Sequence, residues 1–392
     1  YEWGGERFVG TEDNWSFGYN MADPKVAALK PEELLSTHNG RREQAAVTPA
    51  QHPMTMGGAD SVGVGKSWSR ASGEPQLDEH DLPVPTYVPW LGKTVEHPEH
   101  YGIYFQERWD EALACDPEFL YINDWNEWTA GKYQPDGEGK TVSWLRRQSP
   151  FYFVDQYNAE FNRCIHPVKG GYTDNYYMQM AQNLRRYKGA RPIPRLEGYV
   201  EAKADGDFGE WDAVTTEYRD TRGDVFHRDA KGYAGLHYVD TSGRNDILTA
   251  KVAVGRRAIG FYAETADALT PSDGNNWMLL LIDADNDSST GWYGYDFVIN
   301  KKVKDGRTTT LMRYDSDSEQ WIEAAELPYR YEGNRLEVIV PRKLLGLTGD
   351  GFTFDFKWSD NAYELEDPIS FCLHGDTAPN RRFNYRCIWN RR

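Results

Sequence analysis

Near residue 195 the sequence changes texture, and that change limits the fold more than any other feature. Beyond it run short stretches in which apolar and polar residues alternate between turn residues: DILTAKVAVG, AIGFYAET, NWMLLLIDA, YGYDFVIN, RTTTLMRYD, RLEVIVP and FTFDFKWSD. Period-two alternation at this spacing, with almost no helical period, predicts an antiparallel β-sandwich over residues 198–392. Upstream, RFVGTEDNW, AAVTPAQH, EFLYINDWN and FYFVDQYN read as strands. GIYFQERWDEALACD, with Ile103, Trp109 and Leu113, carries helical spacing, as does NYYMQMAQNLRRYKG up to Gly189. Strands alternating with helices predict a parallel sheet, and strand ends rich in polar residues predict a (β/α)8-barrel-like domain over residues 1–192, joined through a linker at 193–197. Only about four of a barrel's eight strands are visible, so the expected domain is an N-terminally incomplete back half. The Gly-, Pro- and Ser-rich segment from Met54 to His100 would be a loop on its rim.

Charge narrows the partners. Asp and Glu total 61 against 44 Lys and Arg, a formal charge of −17, which repels nucleic acid and anionic membrane surfaces. A neutral or small partner is expected, and the 14% aromatic share, with 14 Trp and 25 Tyr, suits stacking on the apolar faces of sugars as well as ordinary cores. No run reaches the ~18–20 apolar residues of a transmembrane helix. The chain opens YEWGGERFVG, without Met or the regions of a signal peptide, so a processed or truncated product is expected. Separately from this, a secreted, periplasmic or cell-surface location and a monomeric form are expected. Cys115, Cys164, Cys372 and Cys387 show no metal-binding spacing. Cys372 and Cys387 fall on adjacent strand-like runs, ISFCLHG and FNYRCIW, which leaves a disulfide and two buried thiols both open.

Two constellations carry chemistry. The first is INDWNEWTAG, residues 122–131, at the end of the apolar run PEFLYI. In a barrel the ends of different strands converge, so Trp15, Gln51, His52, Asn126, Glu127, Asp155 and Asn158 would share one cleft, with Trp125 and Trp128 as sugar platforms. Glycosidic cleavage needs two carboxylates. Glu127 supplies one, and Asp124, Asp155, Glu160 or Glu12 the other; the alternative is a buried glutamate satisfied by an Arg or Trp N–H.

The second is NWMLLLIDADNDSSTGWYGYDFVIN. Asp283, Asp285 and Asp287 alternate at a strand end, where a turn gathers their oxygens around one calcium ion; the alternative is a solvated hairpin. Ser288 and Gly294 stand where an EF-hand needs its glycine and its bidentate glutamate, so the site is not an EF-hand. Trp292, Tyr293 and Trp358 are candidate sugar platforms or, alternatively, core. GVGKS lacks the P-loop spacing, and RRFNYR reads as a solvated basic face.

WNEWTAG, with YFQERWDEAL upstream, resembles the barrels of glycoside hydrolase families 71 and 99, where Asn126, Glu127 and Trp128 match a strand-end N-E-W motif and Glu127 takes the place of a catalytic carboxylate. The second glutamate of the family 99 motif falls at Ala130, so another carboxylate would have to serve as acid/base. The run FVDQYNAEFNRCIHPVKGGYTDNYYMQMAQNLRRYKG is similar to segments of secreted bacterial hydrolase-like proteins. DGDFGEWDAV and FTFDFKWSDNA make residues 198–392 resemble a family 9 carbohydrate-binding module, in which aromatics stack on sugars and calcium braces a loop. These resemblances imply a glycoside hydrolase, or the C-terminal portion of one, acting on polysaccharide or oligosaccharide with Glu127 essential, a structural calcium and no catalytic cofactor. The rival implications are a non-catalytic carbohydrate-binding protein with a degenerate barrel, and a surface scaffold without sugar affinity.

Overall fold

The computed structural model describes residues 2–4, 9–19, 21, 24–49, 84–123, 125, 132–133, 141–142, 147–148, 152–153, 164–225, 227–232, 235–272, 276–361, 365 and 367–391. The chain divides into two compact units, Tyr1–Ala190 and Arg191–Arg392. No helix among the described residues is long and apolar enough to cross a membrane.

In the N-terminal unit, β1 (Ser36–His38), β2 (Arg41–Val47) and β3 (Phe119–Ile122) form a three-stranded sheet in that order. Asn39 and Gly40, both at positive φ, turn β1 into β2 and pair His38 with Arg41, as an Asn-Gly hairpin turn should. β2 and β3 run parallel, with Ala45 opposite Leu120 and Val47 opposite Ile122. The chain between them contains α1 (Ile103–Cys115), whose Phe105, Trp109 and Ala112 lie at helical spacing and pack on Ala45 and Val47. α2 (Asn175–Lys188) joins the same core through Tyr176 and hydrogen-bonds α1, the Gln179 and Asn183 side chains both donating to Gln106 Oε1.

Among the described residues this gives one βαβ crossover and one further parallel pair, Glu2–Gly4 with Ser16–Tyr19, and an eight-stranded barrel is not shown. Of FYFVDQYN the structure describes Tyr152–Phe153, which pairs antiparallel with Lys132–Tyr133. The described residues of RFVGTEDNW contribute one bridge, from Glu12 to Thr37. Period-two alternation marks an extended chain but carries no strand direction, so parallel and antiparallel pairs occur side by side in this unit.

The C-terminal unit is β-sandwich-like. The strands of its main sheet are β4 (Arg195–Glu197), β5 (Tyr218–Arg219), β6 (Ile247–Val254), β7 (Ala258–Thr265), β8 (Leu279–Asp283), β9 (Phe297–Val303), β10 (Thr308–Asp315), β11 (Gln320–Glu332), β12 (Arg335–Pro341), β13 (Gly351–Asp360), β14 (Asp376–Ala378) and β15 (Tyr385–Asn390). Their order is β4-β15-β13-β8-β9-β10-β11-β12-β7-β6-β5, with β14 on β13. β11 changes partner along its length: residues 320–328 pair with β10 and residues 329–332 with β12. The sheet therefore folds over on itself, and Phe261 of β7 meets Phe354 and Phe356 of β13, each with ring centroids 5.8 Å apart.

Ile259, Phe261 and Ala263 point into this core, while Tyr262 faces outward onto Trp211. β8 is apolar up to its last residue, Asp283, because both faces are covered: Leu280 and Ile282 face the core, and Leu279 and Leu281 pack with Trp292, Tyr295 and Phe371. Two expectations change here. Residues 193–197 are not a plain linker, since Arg195–Glu197 is a strand parallel to β15. ISFCLHG holds a one-turn helix, Ser370–Leu373, where a strand-like run was expected; no disulfide joins Cys372 to Cys387, and burial pushes the Cys387 thiol up to about 12.

Candidate functional site

The acidic loop between β8 and β9 is assembled by the way β8 ends. Asp283, only 5% exposed, accepts a hydrogen bond from the Asn286 N–H at 2.6 Å, and Asn286 turns the chain with φ 58°. Thr290 Oγ1 donates to Asp285 at 3.1 Å. The loop then closes through Gly291 at φ +59°, where a Cβ would lie 2.3 Å from the Tyr295 carbonyl oxygen, so only glycine fits. Asp296 completes the loop, its Oδ2 accepting from the Ala284 N–H at 2.8 Å.

Carboxylate oxygens of Asp283, Asp285 and Asp296 lie within 4.8 Å of one another. Asp287 is not in this group, because its Oδ1 accepts from the Ser289 N–H and hydroxyl and so caps the turn instead. Asp296 takes its place. Alternation D-x-D-x-D gave a local signal for the first two residues; Asp296 arrives from the far side of the loop, where only the closed turn brings it close.

Burial pushes the Asp283 carboxyl up to about 7, with Asp355, Asp296 and Asp285 adding repulsion, and Asp296 is raised mainly by burial as well. Arg386 holds Asp355 through two hydrogen bonds of 2.7 Å. Asn286 Nδ2 donates to the Thr353 carbonyl, while its Oδ1 is buried with no hydrogen-bond partner. All the available donors are oxygens, and oxygens this far apart fit around one hard cation with bonds of about 2.3–2.6 Å.

The aromatic candidates separate by burial. Trp292 packs against Trp321 and Phe371, and Trp358 is fully buried in the main core, so both are core residues. Tyr293 is 37% exposed, sits at φ 51°, and has the Arg382 guanidinium 5.5 Å from its ring centroid.

In the N-terminal unit, Trp15 stacks on Phe119 with centroids 4.6 Å apart and donates from Nε1 to Glu43 at 2.7 Å. Trp125 is exposed, set edge-on to Tyr177, and its carbonyl accepts from the Ile165 N–H at 3.0 Å. Glu12 accepts from the Thr37 hydroxyl and the Asn39 N–H, so it braces the hairpin turn. Gln51, His52, Asp124, Asn126, Glu127, Trp128, Asp155, Asn158 and Glu160 lie outside the described residues.

Sequence reading missed a second acidic group, Asp220, Asp224 and Asp376, and a cluster of His97, Glu99 and His100 whose ligand atoms also fall within 4.8 Å of one another. The run HPEH carried a local signal for the latter. No local pattern joins Asp376 to Asp220.

No family model matches the chain, and no curated protein matches it. Among solved structures the chain is similar to a carbohydrate binding module family 9 (CBM9) from Caldicellulosiruptor kristjanssonii in complex with cellotriose, at a TM-score of 0.26 and 12% identity, over 51% of this chain and 95% of that chain. A likeness that loose carries no argument, so the question of ligand rests on the side chains.

Proposed function

We propose that this chain binds carbohydrate without cleaving it, through the C-terminal unit, in a secreted, periplasmic or cell-surface setting. The observation that carries the reading is Tyr293: an exposed ring held at positive φ on the acidic loop, with Arg382 beside it. Strained backbone that displays an aromatic side chain is what a binding loop stabilises at a cost elsewhere in the fold. A flat ring offers the C–H face of a sugar an apolar partner, while Arg382 beside it offers donors to its hydroxyls.

A calcium-class cation at Asp283, Asp285 and Asp296 would hold this loop. The fit rests on the all-oxygen donor set, the burial of Asp283 and the unpartnered Oδ1 of Asn286. The cation's contribution is structural, since it fixes the loop before sugar arrives and reduces the ordering cost of binding.

The test is calorimetric titration of the full chain with gluco-, xylo- and manno-oligosaccharides, beside Tyr293→Ala and a reducing-end assay. One class should bind, Tyr293→Ala should weaken it at least tenfold, and no new reducing ends should appear. Absence of binding to every class, or an unchanged affinity in Tyr293→Ala, overturns the proposal. Reducing ends that disappear in Glu127→Gln would establish hydrolysis in its place.

A further inference from the structure

The second acidic group lies elsewhere in the sandwich and is built from three separate pieces of chain. Asp220 follows β5, and its N–H donates to the Leu248 carbonyl at 3.0 Å. Asp224 comes after a turn at Gly223, whose N–H donates to Asp246 at 2.9 Å. Asp376 opens β14 and accepts from the N–H groups of Ile247 and Thr377, both at 2.7 Å. Asn380 draws the first two together, its Nδ2 reaching Asp224 at 2.6 Å and Asp220 at 3.5 Å. Oxygens of the three carboxylates lie within 4.8 Å of one another.

Burial makes the group unusual. Asp376 is 2% exposed and Asp224 is 8% exposed. Asp224 Oδ1, Asp220 Oδ2, Asp246 Oδ1 and the Tyr385 hydroxyl are all buried without a hydrogen-bond partner. The same three carboxylates act electrostatically on Tyr385, so its unpartnered oxygen belongs to this neighbourhood. Native interiors rarely leave one such atom unpaired, and several gathered together call for a ligand that accepts oxygen donors.

Lys357, fully buried and close enough to act on Asp220, donates to the Pro379 carbonyl, and Arg222 acts on Asp246. Three carboxylates less the Lys357 charge leave −2, the complement of one divalent cation. Without a cation, burial together with the neighbouring carboxylates pushes Asp376 up to about 8 and Asp220 up to about 6.

We propose that Asp220, Asp224 and Asp376 form a second site for a hard divalent cation of the calcium class, with the Tyr385 hydroxyl and Asp246 at its margin. The donors are all oxygens, which selects calcium or magnesium over softer metals. A larger ion with an irregular shell suits carboxylates fixed by backbone hydrogen bonds better than magnesium, which demands near-octahedral geometry. The ion would pin the end of β5 and the turn at Gly223 to the start of β14, closing one margin of the sandwich.

The test counts ions on the full chain after chelator stripping, by calorimetric titration with calcium chloride and, in a separate arm, magnesium chloride. The parent should bind two calcium ions. Asp285→Asn should keep one, and Asp220→Asn and Asp224→Asn should each keep one, with affinity at the lost site at least tenfold weaker. Asp220→Asn is the gentler variant, because Asp220 Oδ2 has no hydrogen bond to lose. Stoichiometry unchanged in both Asp220→Asn and Asp224→Asn, or total loss of binding in Asp285→Asn, overturns the second site. Loss in Asp220→Asn with no change in Asp285→Asn supports it and removes the loop site instead. Tighter binding of magnesium than calcium overturns the assignment of class.

Discussion

The two units reach stability by opposite routes. In the C-terminal unit most strands pair with a neighbour close in sequence, β6 with β7, β8 with β9, β9 with β10 and β10 with β11, and alternating side chains of the folded sheet meet in one core. In the N-terminal unit the central pairing, β2 with β3, joins segments far apart in the chain, and α1 covers it. Local pairing writes itself into the sequence as a period. Distant pairing leaves only compatible faces, which many partners could satisfy.

The sharpest way to break this comparison is to remove one aromatic from each core. Phe261→Ala opens the contact between the two halves of the sandwich, and Trp109→Ala opens the helix–sheet contact of the N-terminal unit. Each should cost about 3–5 kcal/mol in its own unit. Scanning calorimetry of the full chain should show one transition displaced by each substitution. If either one displaces both transitions equally, the units are a single cooperative structure and the contrast collapses.

Legibility followed the same division. Seven sandwich strands stood out because each has a buried face, whereas β11, QWIEAAELPYRYE, did not. Its first half is solvated, with Glu323 and Glu326 paired to Lys302 and Lys304 across the sheet, so it carries no apolar period. α1 and α2 were visible through their spacing, and the Asn39–Gly40 turn was available in the sequence and passed over. The candidate cation loop was half legible: Asp283 and Asp285 sit on one strand end, but Asp296 depends on a turn that only Gly291 permits. Asp376 joins Asp220 and Asp224 only through sheet closure, which no window of sequence contains.

Acidity should move the two units in opposite directions. In chelator, Asp283 titrates near 7 in the folded state, well above its ordinary value of 3.8. The folded C-terminal unit then binds the proton more tightly than the unfolded chain, so stability is fullest below about pH 4 for this group and falls as pH rises through 7. Asp376 and Asp220 act with the same sign. In the N-terminal unit, burial holds His100 and His166 below the ordinary histidine value, so the unfolded chain binds more protons and stability rises with pH through that range. The exposed pair of His38 and Asp13 opposes this only weakly, because solvent screens it. Melting in chelator at pH 5.5 and pH 8 should therefore shift the two transitions oppositely, and calcium at about a hundredfold over its dissociation constant should restore roughly 2.7 kcal/mol per occupied site to the C-terminal unit alone. Parallel shifts would refute the contrast.

The smallest effect separates two glycine turns. Gly291 in the C-terminal unit and Gly40 in the N-terminal unit both sit at positive φ, yet their surroundings differ. A Cβ at Gly291 would strike the Tyr295 carbonyl oxygen, which also accepts the Trp292 N–H at 2.9 Å, so Gly291→Ala must displace the loop that carries Asp296 and Tyr293. It should weaken calcium binding as well as stability. At Gly40 nothing lies within 4 Å of the added carbon, so the cost is the left-handed backbone alone, roughly 1–2 kcal/mol. Chemical denaturation of Gly40→Ala should show that loss in the N-terminal transition with the C-terminal one unmoved. A loss too small to measure would mean that the hairpin adopts another turn at no cost, and the pairing of His38 with Arg41 would have to be given up.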